Sequence, residues 1–281
     1  MLTMFTGPHV IHKFPHDDGV CGLTVLNHEL YILRDRDDNQ ITVHSTIDFA
    51  FLHQLSVDGG RKNYMPDLTS CPQKQCLYVA NSHMDEYGIH RLGLDGSVSK
   101  WPLSCNPVSM SVTRSSYLLV LCYPPDVDDD DNDDVEKLLL LSSESGECVR
   151  TISPQLPATC QLSHSVQVTD DQYLVCYSPT YSDEDWKKGR IVWLDGDGKV
   201  VRGTDETLPM GYLSHMALDR DGFLFVGDYI SNLVLLFDPF LEYICNITDE
   251  IPVGSQHLAY DELTRRLYLG NNNEGVVIVQ L

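Results

Sequence analysis

The chain repeats itself. The segment LSHMALDRDGFLFVGDYISNLVLLFD, from Leu213 to Asp238, reads as strand, tight turn, strand, turn, strand. The same pattern returns in VCGLTVLNHELYILRD from Val20, PDLTSCPQKQCLYVANS from Pro66, NPVSMSVTRSSYLLVLCY from Asn106, LSHSVQVTDDQYLVCYS from Leu162 and SQHLAYDELTRRLYLGN from Ser255. Each unit is followed by a third strand, such as NQITVHS, GRIVWLDGDG or GVVIVQL, and five of the six by a fourth. The apolar residues alternate with period two. A helical solenoid would place them at i, i+3, i+4 and i+7 instead. Six strand-only units of roughly 41 to 56 residues lie in the range of propeller blades.

The expected fold is therefore all-β: a six-bladed β-propeller forming a single domain over residues 1–281. The blades are expected near 19–60, 63–104, 106–155, 162–205, 212–249 and 253–281, the last completed by 9–15. The sixth unit ends at Leu281 after only three strands, and HVIHKFP, from His9 to Pro15, has strand character. Pairing the two closes the ring and removes two exposed edges at once.

Composition narrows the function classes. The net charge is −22, with 19 basic against 41 acidic residues. Binding to nucleic acid draws on clustered Lys and Arg that displace counterions, so a nucleic-acid partner is not expected. No apolar run approaches the ~20 residues that span a bilayer, and the first residues lack the pattern of a signal peptide. A cytoplasmic protein without membrane contact is expected. The nine cysteines are odd in number and contain no C-x-x-C pair. Several sit in apolar strands, where a free thiol packs as a small hydrophobe.

On the residues HMALDRDGFLFVGDYISNLVLLFDP, the fifth unit resembles the NHL repeat. Ala217, Asp219, Gly222, Val226, Asp228, Asn232 and Phe237 stand at the matching positions. The sixth unit keeps Ala259, Asp261, Tyr268 and Asn271, and the others match in apolar pattern. The series is similar to the divergent NHL domains of invertebrate tripartite-motif-like (TRIM-NHL) proteins. That resemblance implies a six-bladed propeller that recognises a protein or, in basic members, RNA. Two local features follow from physics alone. In DRDG, Asp219 caps a turn and Gly222 takes positive φ. Asp228 is placed to accept hydrogen bonds from the loop that follows it.

Counting back four residues from the turn aspartate, Asp219 or Asp261, or from its equivalent in the other units, gives His164, His215 and His257 in units four to six. The same alignment gives Gly22, Asp67 and Val108 in units one to three. Equivalent positions on the first strands of a propeller form a ring around the channel. Three imidazoles and a carboxylate on one ring form a donor set for Zn or another divalent metal. The other reading of the ring is a histidine-lined, solvated channel without a cofactor. No G-x-S-x-G, Walker or G-x-G-x-x-G motif is present.

Two long insertions fall between second and third strands, and therefore on one face of the disc. PPDVDDDDNDDVEK carries Asp128, Asp129, Asp130 and Asp131 in a run that fails the EF-hand pattern at its sixth and twelfth places. SPTYSDEDWKKGR carries Tyr181, Trp186, Lys187 and Lys188. Insertions on one face of a repeat array mark a binding face. The first expectation is thus a non-catalytic recognition module with a protein partner, Tyr181 and Trp186 being its anchors. The alternative is a metal-dependent hydrolase or lyase working at the histidine ring.

Overall fold

A computed structural model describes residues 7–14, 19–34, 40–57, 67–82, 86–124, 135–157, 159–179, 188–247, 257–271 and 275–281. Among the described residues there are 24 strands and no helix, and hence no helix long and apolar enough to cross a membrane. The strands form six four-stranded antiparallel sheets, the blades of a six-bladed β-propeller.

The innermost strands are Val20–Leu26, Leu68–Cys71, Asn106–Val112, Cys160–Thr169, Leu213–Leu218 and His257–Asp261. Each touches the next, and the last touches the first. Within a blade the chain runs outward, strand by strand. The exception is blade 6. Its fourth strand is His9–Phe14, which pairs with Gly275–Gln280 from His9↔Gln280 to Phe14↔Val276. The two ends of the chain thus share one sheet.

Six hydrophobic layers hold the ring, one between each pair of neighbouring blades. Leu33, Ile41 and Val43 of blade 1 meet Leu68, Leu77 and Val79 of blade 2. The layer between blades 4 and 5 contains Trp193, Ile191, Leu213 and Phe237. The ring closes where Phe14, Tyr268 and Ile278 of blade 6 pack on Val20, Leu30 and Ile32 of blade 1. Second strands such as Leu118–Tyr123 are apolar along most of their length because both of their faces are covered.

The turns also follow from the residues. Asn27 and His28 both have positive φ, 53° and 65°, in a two-residue hairpin, the geometry of a type I′ turn. Asp219 Oδ1 accepts the N–H groups of Asp221 at 2.9 Å and Phe223 at 2.8 Å, and Gly222 has a φ of 91°. Asp228 Oδ1 accepts the Ser231 N–H at 3.1 Å. Because all inner strands run the same way along the channel, the turns after first and third strands lie on one face. The loops between second and third strands lie on the other.

Candidate metal centre

Side chains from four blades converge where the inner strands begin. Asp67 precedes the inner strand of blade 2, His164 and His215 lie within those of blades 4 and 5, and His257 opens that of blade 6. The pairing register shifts between Leu162 and His164 and between Leu213 and Met216. Such bulges add a residue and re-aim the side chains beside them.

Asp67 Oδ1 lies 3.8 Å from His215 Nε2 and 3.9 Å from His257 Nδ1. The rings of His164 and His215 are 3.7 Å apart, and those of His215 and His257 are 5.8 Å apart. One ligand-capable atom from each of Asp67, His164 and His215 falls within 4.8 Å of the other two. A tetrahedral ion with metal–ligand distances near ~2.1 Å spaces its ligands about 3.4 Å apart, so seating one takes closure of the widest separation by up to about 1.4 Å.

Backbone groups hold the carboxylate in place. Leu68 N–H donates to Asp67 Oδ1 at 2.8 Å, and Met110 N–H donates to Oδ2 at 2.6 Å. The Asp67 carbonyl accepts Ala80 N–H at 3.0 Å. Gly22 lets blade 1 approach this peptide. A Cβ on Gly22 would stand 2.6 Å from Leu68 N and 3.2 Å from the Asp67 carbonyl carbon.

Residue counting misplaces blade 3. It puts Val108 on the ring, but Val108 packs against the layer between blades 3 and 4. The register shifts between Pro107 and Ser109, and this bulge changes which side chains face the channel. Blade 3 contributes the Met110 N–H instead. Nothing in the sequence pattern signals that backbone donor.

The charge states suit a cation. Burial raises the Asp67 carboxyl, but the facing His215, with His257 and His164, outweighs it and holds the group at about 2. Burial, reinforced by His215, pushes His164 well below the ordinary imidazole range, with Asp67 opposing in part. Burial brings His257 down to about 4 against the pull of Asp67. At neutral pH the ring therefore offers an ionised carboxylate beside neutral imidazoles at His164 and His257. Both ring nitrogens of His164 and Nδ1 of His215 are buried with no hydrogen-bond partner among the described residues.

A cavity of about 390 Å³ adjoins His164 and His215. Its walls include Thr24, Ser70, Ser111, Gln167, Ala217 and Ala259. These are later positions on the inner strands, so the cavity opens on the face of the first turns. The polar ring closes its inner end.

The other sequence-predicted residues belong to the two insertions. Tyr181, Trp186, Lys187, Asp128, Asp129, Asp130 and Asp131 lie outside the described residues. Lys188 forms an isolated parallel bridge with Met210. The nine cysteines form no disulfide among the described residues.

No family model matches the chain, and no curated protein matches it. Solved structures do. Streptogramin B lyase matches with a TM-score of 0.67 at 8% identity, over 99% of this chain and 99% of that one. A catalytically inactive histidine-to-alanine variant of virginiamycin B lyase from Staphylococcus aureus, with quinupristin, matches at 0.65 and 11%, over 98% and 99%. Hydrazine synthase from Kuenenia stuttgartiensis matches at 0.65 and 14%, over 92% and 83%. These likenesses are of fold.

Proposed function

We propose that the propeller is a metal-dependent hydrolase or lyase, with one divalent cation on the channel axis held by Asp67, His164 and His215. The observation that carries this reading is the convergence of those three side chains within 4.8 Å, from three separate blades. Three further facts support it. The imidazole nitrogens of His164 lack partners in a buried place, the carboxylate is pinned by two backbone donors, and a cavity opens beside the cluster. Two of the solved structures similar in fold are lyases, one of them inactive as a histidine-to-alanine variant.

A mixed carboxylate and imidazole set suits Zn, Fe or Mn. Three protein ligands leave a position for water or substrate. An ion held by Asp67, His164 and His215 would supply Lewis-acid activation of a substrate oxygen or of water. His257, 3.9 Å from Asp67, then acts as fourth ligand or as the neutral base beside the metal.

Elemental analysis tests the reading. The purified chain, reconstituted with Zn, Mn or Fe and desalted, is expected to retain one equivalent of metal. His164→Ala and His215→Ala are expected to lose it. Failure of the unaltered chain to retain any of the three ions would end the reading.

A second reading keeps the NHL-type recognition module, in the cytoplasm and with a protein partner. It is favoured by Tyr229 and Ile230, which are 40% and 42% exposed in the loop between second and third strands of blade 5. They lie in the loop of blade 5 that corresponds in sequence to the insertion bearing Tyr181, Trp186, Lys187 and Lys188. Aromatic anchors of this kind dominate many interfaces. On this reading Tyr181→Ala with Trp186→Ala abolishes partner binding without altering metal content.

A further inference from the structure

We propose that the cavity beside the histidines is the ligand pocket of the metal centre. It takes a compact molecule, uncharged apart from the group it offers the metal, that presents hydrogen-bonding groups to a wall of hydroxyls on blades 1 to 3. This rests on the metal reading above and names the class of ligand for it.

The hydroxyl wall is formed by Thr24, Ser70 and Ser111, one from each of three successive inner strands. Ser70 donates to the Val25 carbonyl at 3.1 Å, so in its 2.8 Å contact with Thr24 the Thr24 hydroxyl is the donor. The Thr24 oxygen, on a residue that lines the cavity, keeps its capacity as an acceptor. Ser111 Oγ is buried and has no hydrogen-bond partner among the described residues. An unmet buried hydroxyl is destabilising, and a ligand group in the cavity relieves it. The opposite wall is small and apolar, with Val166, Ala217 and Ala259. The volume of about 390 Å³ lies at the lower end of the ~300–1,000 Å³ typical of small-molecule sites.

The charged groups at the mouth already have partners. Asp219 accepts two backbone N–H groups of its own turn. Arg114 donates to the Arg220 carbonyl at 3.1 Å. Arg220 lies 3.7 Å from Glu262 and 3.9 Å from Asp221. The pocket interior thus presents hydroxyls, methyl groups and the Gln167 amide, with the metal its principal charge. That environment favours a ligand with no charge beyond the group on the metal, because a further carboxylate would lose its hydration in the interior, the two arginines that line the cavity standing exposed at its mouth. The approach is from the face of the first turns, since the Asp67 ring blocks the other end.

The test uses the full chain loaded with Co(II) and titrated with acetohydroxamic acid, followed by visible absorption. A saturable spectral change is expected. Ser111→Leu and, separately, Ala259→Leu are expected to weaken it at least tenfold while still holding one Co(II). Ser111→Thr keeps it, as does Val149→Ala on the outer strand of blade 3. Succinomonohydroxamic acid, which adds a carboxylate, is expected to bind at least tenfold more weakly than acetohydroxamic acid. If both leucine variants bind the probe as tightly as the unaltered chain, or the charged probe binds equally well, the pocket assignment is overturned while the metal centre stands. If the unaltered chain holds no Co(II), the metal reading falls and this proposal with it.

Discussion

Asp67 and His215 belong to blades 2 and 5, on opposite sides of the ring, and the carboxylate oxygen of one lies 3.8 Å from the ring nitrogen of the other. The channel is therefore bridged by side chains at this level. Whatever holds Asp67 in place also sets the position of the imidazoles that face it.

That dependence makes Asp67→Asn informative. The carboxylate accepts N–H groups on both oxygens, from Leu68 and Met110. An amide must turn its NH₂ towards one of these donors, leaving a buried donor unmet at about 1–3 kcal/mol. The variant is expected to unfold at lower urea concentration by that amount and to hold no metal. Urea denaturation and metal content measured on one preparation check both.

Gly22→Ala should act on the same site from behind. Its Cβ would meet Leu68 N at 2.6 Å and Leu68 Cβ at 2.7 Å, both rigidly placed. Blades 1 and 2 must separate, at about 1–3 kcal/mol for overpacking of this kind. Gly7, where an added Cβ meets nothing within 4 Å, is the matched control. Thermal melts of Gly22→Ala and Gly7→Ala should differ clearly, with only the first weakening metal retention.

The metal-free protein should lose stability as the pH falls. The folded-state pKa of His257 is lowered to about 4 and that of His164 lies well below the usual value. Between pH ~6.5 and 4 the unfolded chain takes up protons that the folded ring refuses, so unfolding gains. For His257 the loss approaches roughly 3 kcal/mol below pH 4. Asp67 acts in a lower window: its stabilisation is present above pH ~3.9 and is lost as the pH falls towards 2. His257→Asn should flatten the upper window when unfolding is followed from pH 7 to 4 with a chelator present.

Glu136 has the opposite sign. Burial raises its carboxyl to about 7, against a hydrogen bond from Leu162 N–H at 2.9 Å. Its contribution is present below pH ~4.5 and is lost as the pH rises through 7. Glu136→Gln retains an acceptor for Leu162 and does not ionise. It should be more stable than the unaltered chain at pH 8 by about 1 kcal/mol after allowance for partial exposure, and no more stable at pH 5. Denaturation at the two pH values decides it.

Deleting residues 1–14 removes the outer strand of blade 6. Gly275–Gln280 then becomes an unpaired edge, which templates association, and the closing layer loses Phe14. The truncated chain is expected to melt at lower temperature and to aggregate, as light scattering would record.

The blade repeat was legible because strand alternation and turn chemistry are local. Asp219 and Gly222 shape their turn whatever surrounds them. His164, His215 and His257 could be aligned for the same reason, each standing at a fixed distance from a repeated turn. Val108 could not be placed that way. A bulge between Pro107 and Ser109 changes the inward side of the strand, and no residue pattern announces it.

The sequence by itself determined an all-β ring of six units closed by its own N-terminal strand, because period-two burial and a missing final strand leave few other ways to cover the edges. Only the tertiary structure decided that Asp67 meets the histidines within reach of one ion, that Met110 and Gly22 complete its setting, and that a hydroxyl-walled cavity lies beneath. Those relations depend on how far opposite blades stand apart and on where bulges turn the inner strands. Both are set by the packing of six layers at once.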